Sequence, residues 1–263
     1  MNRLTTLFQA QDRDLLNVYF TAGYPQLEDT VTIIKSLAEA GVNLIEVGMP
    51  YSDPMADGET IQKSSMQALK NGMTLEVLFA QIKEAREHTD IPLVLMGYYN
   101  QVMQYGPERF VAAAKAAGID GLILPDLPVF EYEQEFKGIA EAHDMQITFL
   151  ITPQTSDERI KQIGAISTGF IYVVSSSSIT GKSGAITQEQ KDYFARIAAL
   201  DLPQPKLIGF GISDAQSFRT ACAYANGAII GSAFIRALAG SEDVLSTTQH
   251  FVEGILSPEG TFA

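Results

Sequence analysis

The chain has 263 residues, 46% hydrophobic and 19% charged, which is globular composition with enough apolar material for a large core. Its formal charge of −13 repels phosphate backbones and anionic membranes, so it argues against nucleic-acid and membrane-surface roles. No apolar run approaches the roughly 20 residues of a membrane helix, the N-terminal stretch MNRLTTLFQAQDRD is too polar for a signal peptide, and Cys222 alone cannot form an internal disulfide. We therefore expect a cytoplasmic protein in a reducing setting.

Short apolar runs alternate with longer amphipathic runs from one end of the chain to the other. The strands are predicted at Leu15–Phe20, Asn43–Val47, Leu93–Met96, Gly121–Leu124, Gln146–Ile151, Phe170–Val174, Lys206–Phe210 and Ala228–Ile230. The helices are predicted at Leu27–Ala40, Thr74–Thr89, Pro107–Ala117, Glu131–His143, Asp157–Ile166, Gln188–Leu200, Asp214–Ala225 and within Asp243–Leu256.

Eight strands that alternate with eight helices predict an α/β fold with a parallel sheet inside and helices outside, and they match a (β/α)₈ barrel, the TIM barrel. A doubly wound open sheet is the alternative architecture. We expect residues 1–263 to form one domain, with Arg3–Gln11 as a short extra helix that closes the bottom of the barrel. Ser175–Ser178 and the residues after it lack apolar anchors and are expected to form a mobile loop.

Several helix boundaries carry local signals. Asp214 is a candidate N-cap, and Ser156 or Asp157 can cap the helix that follows Thr152-Pro153. Gly41 and Gly118 stand where helices stop before strands.

The end of the second predicted strand carries an ionisable residue in an apolar run. By the period of two along a strand, Leu44, Glu46 and Gly48 share one face and Ile45 and Val47 the other. A partly desolvated carboxylate near the mouth of a barrel has a raised pKa, which suits general acid/base chemistry. The alternative is a glutamate held by a polar partner for structure.

The loop after this strand supplies two more carboxylates, Asp53 and Asp57. Asp-Pro and Asp-Gly are common turn dipeptides, but the clustering of both aspartates just beyond Glu46 favours a chemical role for at least one of them. Histidines 88, 143 and 250 have no neighbours with metal-ligand spacing, so no metal site is expected. There is also no Walker motif and no GxGxxG after a strand, which argues against a nucleotide cofactor.

Glycines at the ends of the last two strands indicate a phosphate site. Gly209–Ser213 ends the seventh strand, and Gly231-Ser232-Ala233 opens a helix after the eighth. Loops after strands seven and eight form the recurrent phosphate site of barrels, because glycine lets backbone N–H groups approach an anion and a helix N-terminus favours it. Gly181 could add another N–H, and a small phosphorylated substrate is expected.

With these residues in hand, the chain resembles the tryptophan synthase α-subunit family over most of its length. The resemblance rests on motifs at successive strand ends: YFTAGYP at 19–25, IEVGMPYSDPMADG at 45–58, MGYYN at 96–100, LPDLP at 124–128, LITP at 150–153, Thr180-Gly181, GFGIS at 209–213 and GSA at 231–233. The chain departs from the usual family pattern at Ser175–Ser178 and at Ile179.

The resemblance implies a (β/α)₈ barrel that cleaves indole-3-glycerol phosphate to indole and glyceraldehyde 3-phosphate, a retro-aldol reaction of tryptophan biosynthesis. Glu46 then corresponds to the general acid/base, and Asp57 to the carboxylate that holds the indole N–H. The remaining substrate contacts that it implies are Tyr19, Met96, Tyr98, Ile123 and Ile151 around the indole, Tyr172 near the substrate, Thr180 on a closing loop, and Gly181, Gly211, Gly231 and Ser232 at the phosphate.

The family also implies a partner. Its members act with a β subunit that carries pyridoxal phosphate (PLP) and condenses indole with serine, usually as an αββα heterotetramer, and the α subunit needs no cofactor. The loop with Asp53 and the serine-rich loop would face this partner. Three alternatives stay open at this point: a lyase that acts alone, a non-catalytic barrel that only regulates a β subunit, and a phosphate-binding isomerase or prenyl-type transferase.

Overall fold

The computed structural model describes residues 1–54, 57–175, 186–209 and 211–257, and in them eight parallel strands close into a barrel. Each strand pairs with the next along the chain, and the last pairs with the first. The strands are β1 (Leu15–Thr21), β2 (Leu44–Gly48), β3 (Leu93–Met96), β4 (Gly121–Ile123), β5 (Gln146–Ile151), β6 (Ile171–Val174), β7 (Lys206–Gly209) and β8 (Gly227–Ile230). The predicted (β/α)₈ barrel is confirmed, and the open sheet is excluded because β1 and β8 are hydrogen-bonded.

Helices cover the outside of this barrel and one of its ends. Those described are α1 (Arg3–Ala10), α2 (Asp29–Glu39), α3 (Glu59–Lys70), α4 (Leu75–Arg86), α5 (Tyr99–Tyr105), α6 (Pro107–Ala117), α7 (Val129–Glu131), α8 (Lys137–Ala142), α9 (Asp157–Ile166), α10 (Gln188–Ala198), α11 (Ala215–Cys222), α12 (Ser232–Leu238) and α13 (Val244–Leu256). A π-helical turn, Tyr132–Phe136, joins α7 to α8. The sequence did not predict α3 and α5, so the expectation of eight helices was too low. No helix in the described part of the chain is long and apolar enough to cross a membrane.

Side chains of the strands alternate between two apolar layers. The inner layer fills the barrel, and its strand residues are Leu15, Tyr19, Leu44, Val94, Met96, Ile123, Tyr172, Val174, Leu207 and Ile229. The outer layer lies between the sheet and the helices and contains Ile45 and Val47. The predicted faces of β2 are therefore confirmed, and Glu46 points into the barrel.

The N-terminal end of the barrel is closed by α1, as the sequence predicts. Leu4 is buried in the inner layer, and the Phe8 ring lies 6.0 Å from the Phe170 ring. Asn2 caps the helix through its side-chain oxygen and donates its amide to the Asp120 carbonyl at 2.9 Å. One end of the barrel is thereby sealed.

The boundary residues predicted for α2, α6, α9 and α11 are found, although α2 begins at Asp29 rather than Leu27. Asp214 caps α11 by accepting from the Ser217 N–H at 2.7 Å, and Ser156 rather than Asp157 caps α9. Gly118 ends α6 with a φ of 103°, and Gly41 follows α2 with a φ of 94°. Only glycine adopts this left-handed backbone without strain.

Candidate active site

Glu46 is fully buried in the interior of the barrel. Its Oε1 accepts a hydrogen bond of 2.5 Å from the Asn17 amide, while its Oε2 is buried and has no hydrogen-bond partner among the described residues. Burial raises the pKa of Glu46 to about 8, and the bond from Asn17 acts in the opposite direction. Because this pKa lies near neutrality, the carboxyl group of Glu46 can both give and take a proton near neutral pH.

Asp57 approaches the same region from the loop after β2. Its Oδ2 accepts a hydrogen bond of 3.1 Å from the hydroxyl of Tyr98, a residue just after the end of β3. Burial raises the pKa of Asp57, and the bond from Tyr98 lowers it. The Tyr51 ring stacks on Tyr98 with centroids 5.1 Å apart, and Asn100 donates to the Tyr51 hydroxyl at 2.7 Å. Tyr51 therefore packs against the ring whose hydroxyl group binds Asp57.

Two buried phenols connect these carboxylates. Burial, and then the negative charges of Asp57 and Glu46, raise the pKa of Tyr19. Burial also raises the pKa of Tyr172, to which Glu46 and Asp57 add. Both phenols are therefore neutral at physiological pH, and both lie within electrostatic range of both carboxylates. Residues from β1, β2, β6 and the loop after β2 converge on one site.

The wall around these polar groups is apolar, and it includes most of the residues implied for the indole pocket. Met96 and Ile123 belong to the inner layer with Tyr19 and Tyr172, and Tyr98 is buried beside Asp57.

Ile151 is a correction to the predicted pocket. It packs in the outer layer, whereas Leu150 contacts the inner layer. Neighbouring residues of a strand point to opposite faces, so an assignment displaced by one residue selects the wrong side chain.

The glycines of the proposed phosphate site lie at the ends of β7 and β8, which are neighbours in the sheet. Gly211 follows β7 with a φ of 79°, and Gly231 is the N-cap residue of α12, whose first residue is the half-buried Ser232. Thr180 and Gly181 lie outside the described residues.

On the rim of the barrel, Asp53 is exposed and accepts a hydrogen bond from the Ser52 hydroxyl. In the described part of the chain, no three His, Cys, Asp or Glu side chains are grouped so as to hold a metal ion. The site described so far consists of carboxylates, phenols and apolar side chains.

Sequence reasoning missed three residues of this site: Asn17, Tyr51 and Leu150. Asn17 lies two residues before Tyr19 in β1, so the period of two placed it on the inner face, and a polar residue there was a detectable signal. Tyr51 stood inside the quoted loop motif, but its stacking on Tyr98 depends on how two separate loops meet.

A closed (β/α)₈ barrel with buried carboxylates and phenols at the C-terminal ends of its strands has the architecture of a barrel enzyme. A family model described as tryptophan synthase alpha chain matches residues 6–255. The chain therefore belongs to the tryptophan synthase alpha chain family.

Relatives and solved structures agree with this assignment. The tryptophan synthase alpha chain of Flavobacterium johnsoniae is 53% identical over 252 residues, which cover 96% of this chain and 98% of that protein. The one from Parabacteroides distasonis is 51% identical over 238 residues, covering 90% and 93%. Among solved structures, a mutant α-subunit from Pyrococcus furiosus has a TM-score of 0.85 at 37% identity and covers 94% of this chain and 99% of its own. The tryptophan synthase complex from P. furiosus gives 0.84 at 36% identity, covering 94% and 99%.

Proposed function

We propose that the chain cleaves indole-3-glycerol phosphate to indole and glyceraldehyde 3-phosphate by a retro-aldol reaction, as a carbon–carbon lyase. The observation that carries the proposal is Glu46, a buried carboxyl group inside the barrel with a pKa of about 8 and an Oε2 that forms no hydrogen bond with the described residues. Such a group starts as an acid at neutral pH and becomes a base once it has given up its proton.

In the reaction, Glu46 first gives its proton to C3 of the indole ring, which leaves the ring positively charged. As a carboxylate, it then takes the proton from the glycerol hydroxyl next to the ring. The carbon–carbon bond breaks, its electron pair returns to the ring, and the hydroxyl carbon becomes the aldehyde. Glu46 ends the cycle protonated, as it began.

Asp57 stabilises the charge that forms in the ring. A carboxylate beside the indole N–H accepts its hydrogen bond and opposes the positive charge, most strongly in an apolar site. The hydrogen bond from Tyr98 stabilises Asp57 as a carboxylate. Glu46 therefore moves protons, and Asp57 provides electrostatic stabilisation.

The inner layer supplies the remaining contacts. We place the indole among Tyr19, Met96, Tyr98, Ile123 and Tyr172, with Leu150 in place of Ile151. The phosphate lies at Gly211, Gly231 and Ser232, where glycine backbones and a helix N-terminus favour an anion. The proposal also includes Thr180 on a closing loop and Gly181 at the phosphate, as the family resemblance implies.

We further propose that the chain acts as a single domain in the cytoplasm, without a cofactor of its own, in an αββα assembly with a β subunit that carries PLP. The tryptophan synthase complex of P. furiosus supports the pairing. The exposed Asp53 loop is the surface that we assign to this partner.

Cleavage of indole-3-glycerol phosphate by Glu46→Gln, measured with the β subunit present, tests this function. Loss of the proton carrier lowers kcat by about 10²–10⁴-fold, and Asp57→Asn also lowers kcat. Glu59→Gln is the matched control, because Glu59 is an exposed glutamate at the start of α3 that pairs with Lys63, and it keeps the wild-type kcat.

Two results would contradict the proposal. Wild-type turnover by Glu46→Gln would remove the acid/base role. A wild-type chain that assembles with the β subunit and releases no indole would instead be a non-catalytic partner.

A further inference from the structure

Asn17 is an amide buried inside the barrel. It lies on β1 with no exposed surface, two residues before Tyr19 on the same face. A buried amide costs free energy unless it is hydrogen-bonded. Its Nδ2 donates to Glu46 Oε1 at 2.5 Å, so this polar side chain is directed at the proposed proton carrier.

The bond leaves one atom of each group without a partner. Asn17 Oδ1 and Glu46 Oε2 are buried and form no hydrogen bond with the described residues. A carboxylate needs a donor, and a carboxylic acid needs an acceptor; a carboxamide offers both. A half-turn of the carboxamide about its last torsion exchanges Nδ2 and Oδ1, so the same side chain can donate to ionised Oε1 and accept from protonated Oε1.

We infer that Asn17 is a positioning residue that holds Glu46 in one orientation in both of its protonation states and leaves Oε2 for the substrate. The inference rests on the proposed function of Glu46. An acid that must return as a base within one cycle gains from a partner that pairs with both forms. Asn17 can do this without an ionisable group, so it moves no proton itself.

The other groups around Glu46 have different roles. Tyr19 on β1 and Tyr172 on β6 are buried phenols that Glu46 influences electrostatically, and Asp57 is a carboxylate. From β3, the strand paired with β2, the inner side chains are Val94 and Met96, which do not titrate. Among the described hydrogen bonds, Glu46 has one side-chain donor, Asn17.

The test replaces Asn17 with leucine, which has a similar size and no amide. We expect the titration midpoint of Glu46 to rise by about one pH unit in Asn17→Leu. The hydrogen bond from Asn17 to the ionised carboxylate is charge-assisted and stronger than the bond to the protonated acid, so its loss destabilises the carboxylate more. ¹³C-labelled glutamate carboxyl groups report this midpoint by NMR in the free protein, and the signal that is absent from Glu46→Gln assigns it. The pH dependence of kcat for cleavage in the complex shifts upward with it.

Thr148→Val is the matched control. Thr148 is a buried polar residue on β5 whose hydroxyl accepts from the Phe170 N–H, so the variant also loses a buried hydrogen bond but leaves Glu46 alone. It keeps the wild-type midpoint and pH profile. Asn17→Ser retains a smaller group that can donate and accept, and it gives a midpoint between those of wild type and Asn17→Leu. It also provides the measurement if Asn17→Leu does not fold.

A wild-type Glu46 midpoint in either folded Asn17 variant would overturn the inference. A shift of equal size in Thr148→Val would do the same, since it would trace the effect to general loss of packing. The NMR titration needs no substrate, so a failure of the proposed function, seen as full activity of Glu46→Gln, is distinguishable from a failure of the role of Asn17.

Discussion

The buried carboxyl group of Glu46 makes folding stability depend on pH. Its pKa rises from 4.5 to about 8 on folding. Between these values the unfolded chain has lost the proton and the folded chain keeps it, so the free energy of unfolding falls as pH rises from 4.5 to 8. Above pH 8, Glu46 is ionised in both the folded and the unfolded chain, so the free energy of unfolding falls no further.

Glu46→Gln removes this loss. We expect the variant to match wild type near pH 4.5 and to be more stable by roughly 3 to 5 kcal/mol at pH 9. Urea unfolding of both proteins at pH 5, 7 and 9 measures the difference. Burial raises the pKa of Asp57 as well, but that contribution is present in both proteins and cancels.

An exposed glutamate provides the control for this comparison. Glu253 lies on the outer surface of α13, and Glu253→Gln follows the wild-type stability at each pH. A stability difference between Glu46→Gln and wild type that is the same at pH 5 and pH 9 would show that burial does not shift the ionisation of Glu46.

At the level of single residues, the sequence predicted the inward-facing carboxylate better than its surroundings. Glu46 was detectable because a charge in an apolar strand contradicts the pattern around it. The bond from Asn17 depends on the stagger between β1 and β2, in which Asn17 is opposite Leu44 and Tyr19 is opposite Glu46. That stagger is set by barrel closure, which one strand alone does not encode.

Paired strands repeat one arrangement of tyrosine and glycine on two sides of the barrel. Tyr19 is paired with Glu46 on β2. Gly48 lies two residues beyond Glu46, and a Cβ on Gly48 would lie 2.2 Å from the Tyr19 hydroxyl. Tyr172 is paired with Leu207 on β7. Gly209 lies two residues beyond Leu207, and a Cβ on Gly209 would lie 2.3 Å from the Tyr172 hydroxyl. Each tyrosine therefore leans across the next strand, over a glycine that leaves room for it.

Gly48→Ala tests this arrangement. The new methyl group displaces the Tyr19 ring from the site, and misplacement of about 1 Å lowers kcat/KM by roughly 10- to 100-fold. Steady-state cleavage in the complex measures the loss. Gly138→Ala is the control, because a Cβ at Gly138 in α8 meets nothing within 4 Å, and its kcat/KM stays at the wild-type value.

A double variant separates displacement of Tyr19 from other damage. If the methyl group acts through the ring, adding Gly48→Ala to Tyr19→Leu costs no further activity, because the clashing hydroxyl is already gone. Independent, multiplying losses would instead show that Gly48 matters for another reason.

Strands were easier to predict than the helices near the mouth of the barrel. Leu93–Met96 and Gln146–Ile151 match β3 and β5 because strands buried on both faces read as apolar runs. α3 was missed because two of its four buried residues are serines and its N-cap, Gly58, offers no side-chain bond. Neither an apolar stripe nor a capping residue marked it. α5 is short, and its N-cap residue is Tyr98, whose side chain makes no capping bond; instead the Gln101 side chain accepts from the Tyr98 N–H at 3.1 Å.

At the scale of the whole molecule, the end of the barrel opposite the site is held by charges. The Asp120 carboxylate, at the start of β4, pairs with Arg86 of α4 at 2.8 Å and with Arg3 of α1 at 3.2 Å, and it accepts from the Leu93 N–H at 3.0 Å. The side chains of Asp120 and Arg86 are almost entirely buried. One carboxylate thus joins two helices to two strands.

Removal of that charge separates stability from catalysis. Asp120→Asn leaves Arg86 buried without its counter-charge, which lowers the free energy of unfolding by about 3 to 5 kcal/mol, measured by urea unfolding. Asp90→Asn is the control: Asp90 also pairs with Arg3, but it is 92% exposed, and its loss costs less than about 1 kcal/mol.

Because the cluster lies at the closed end and Glu46 faces the open one, folded Asp120→Asn retains the wild-type kcat for cleavage. A large fall in kcat with stability unchanged would mean that the two ends of the barrel are not independent.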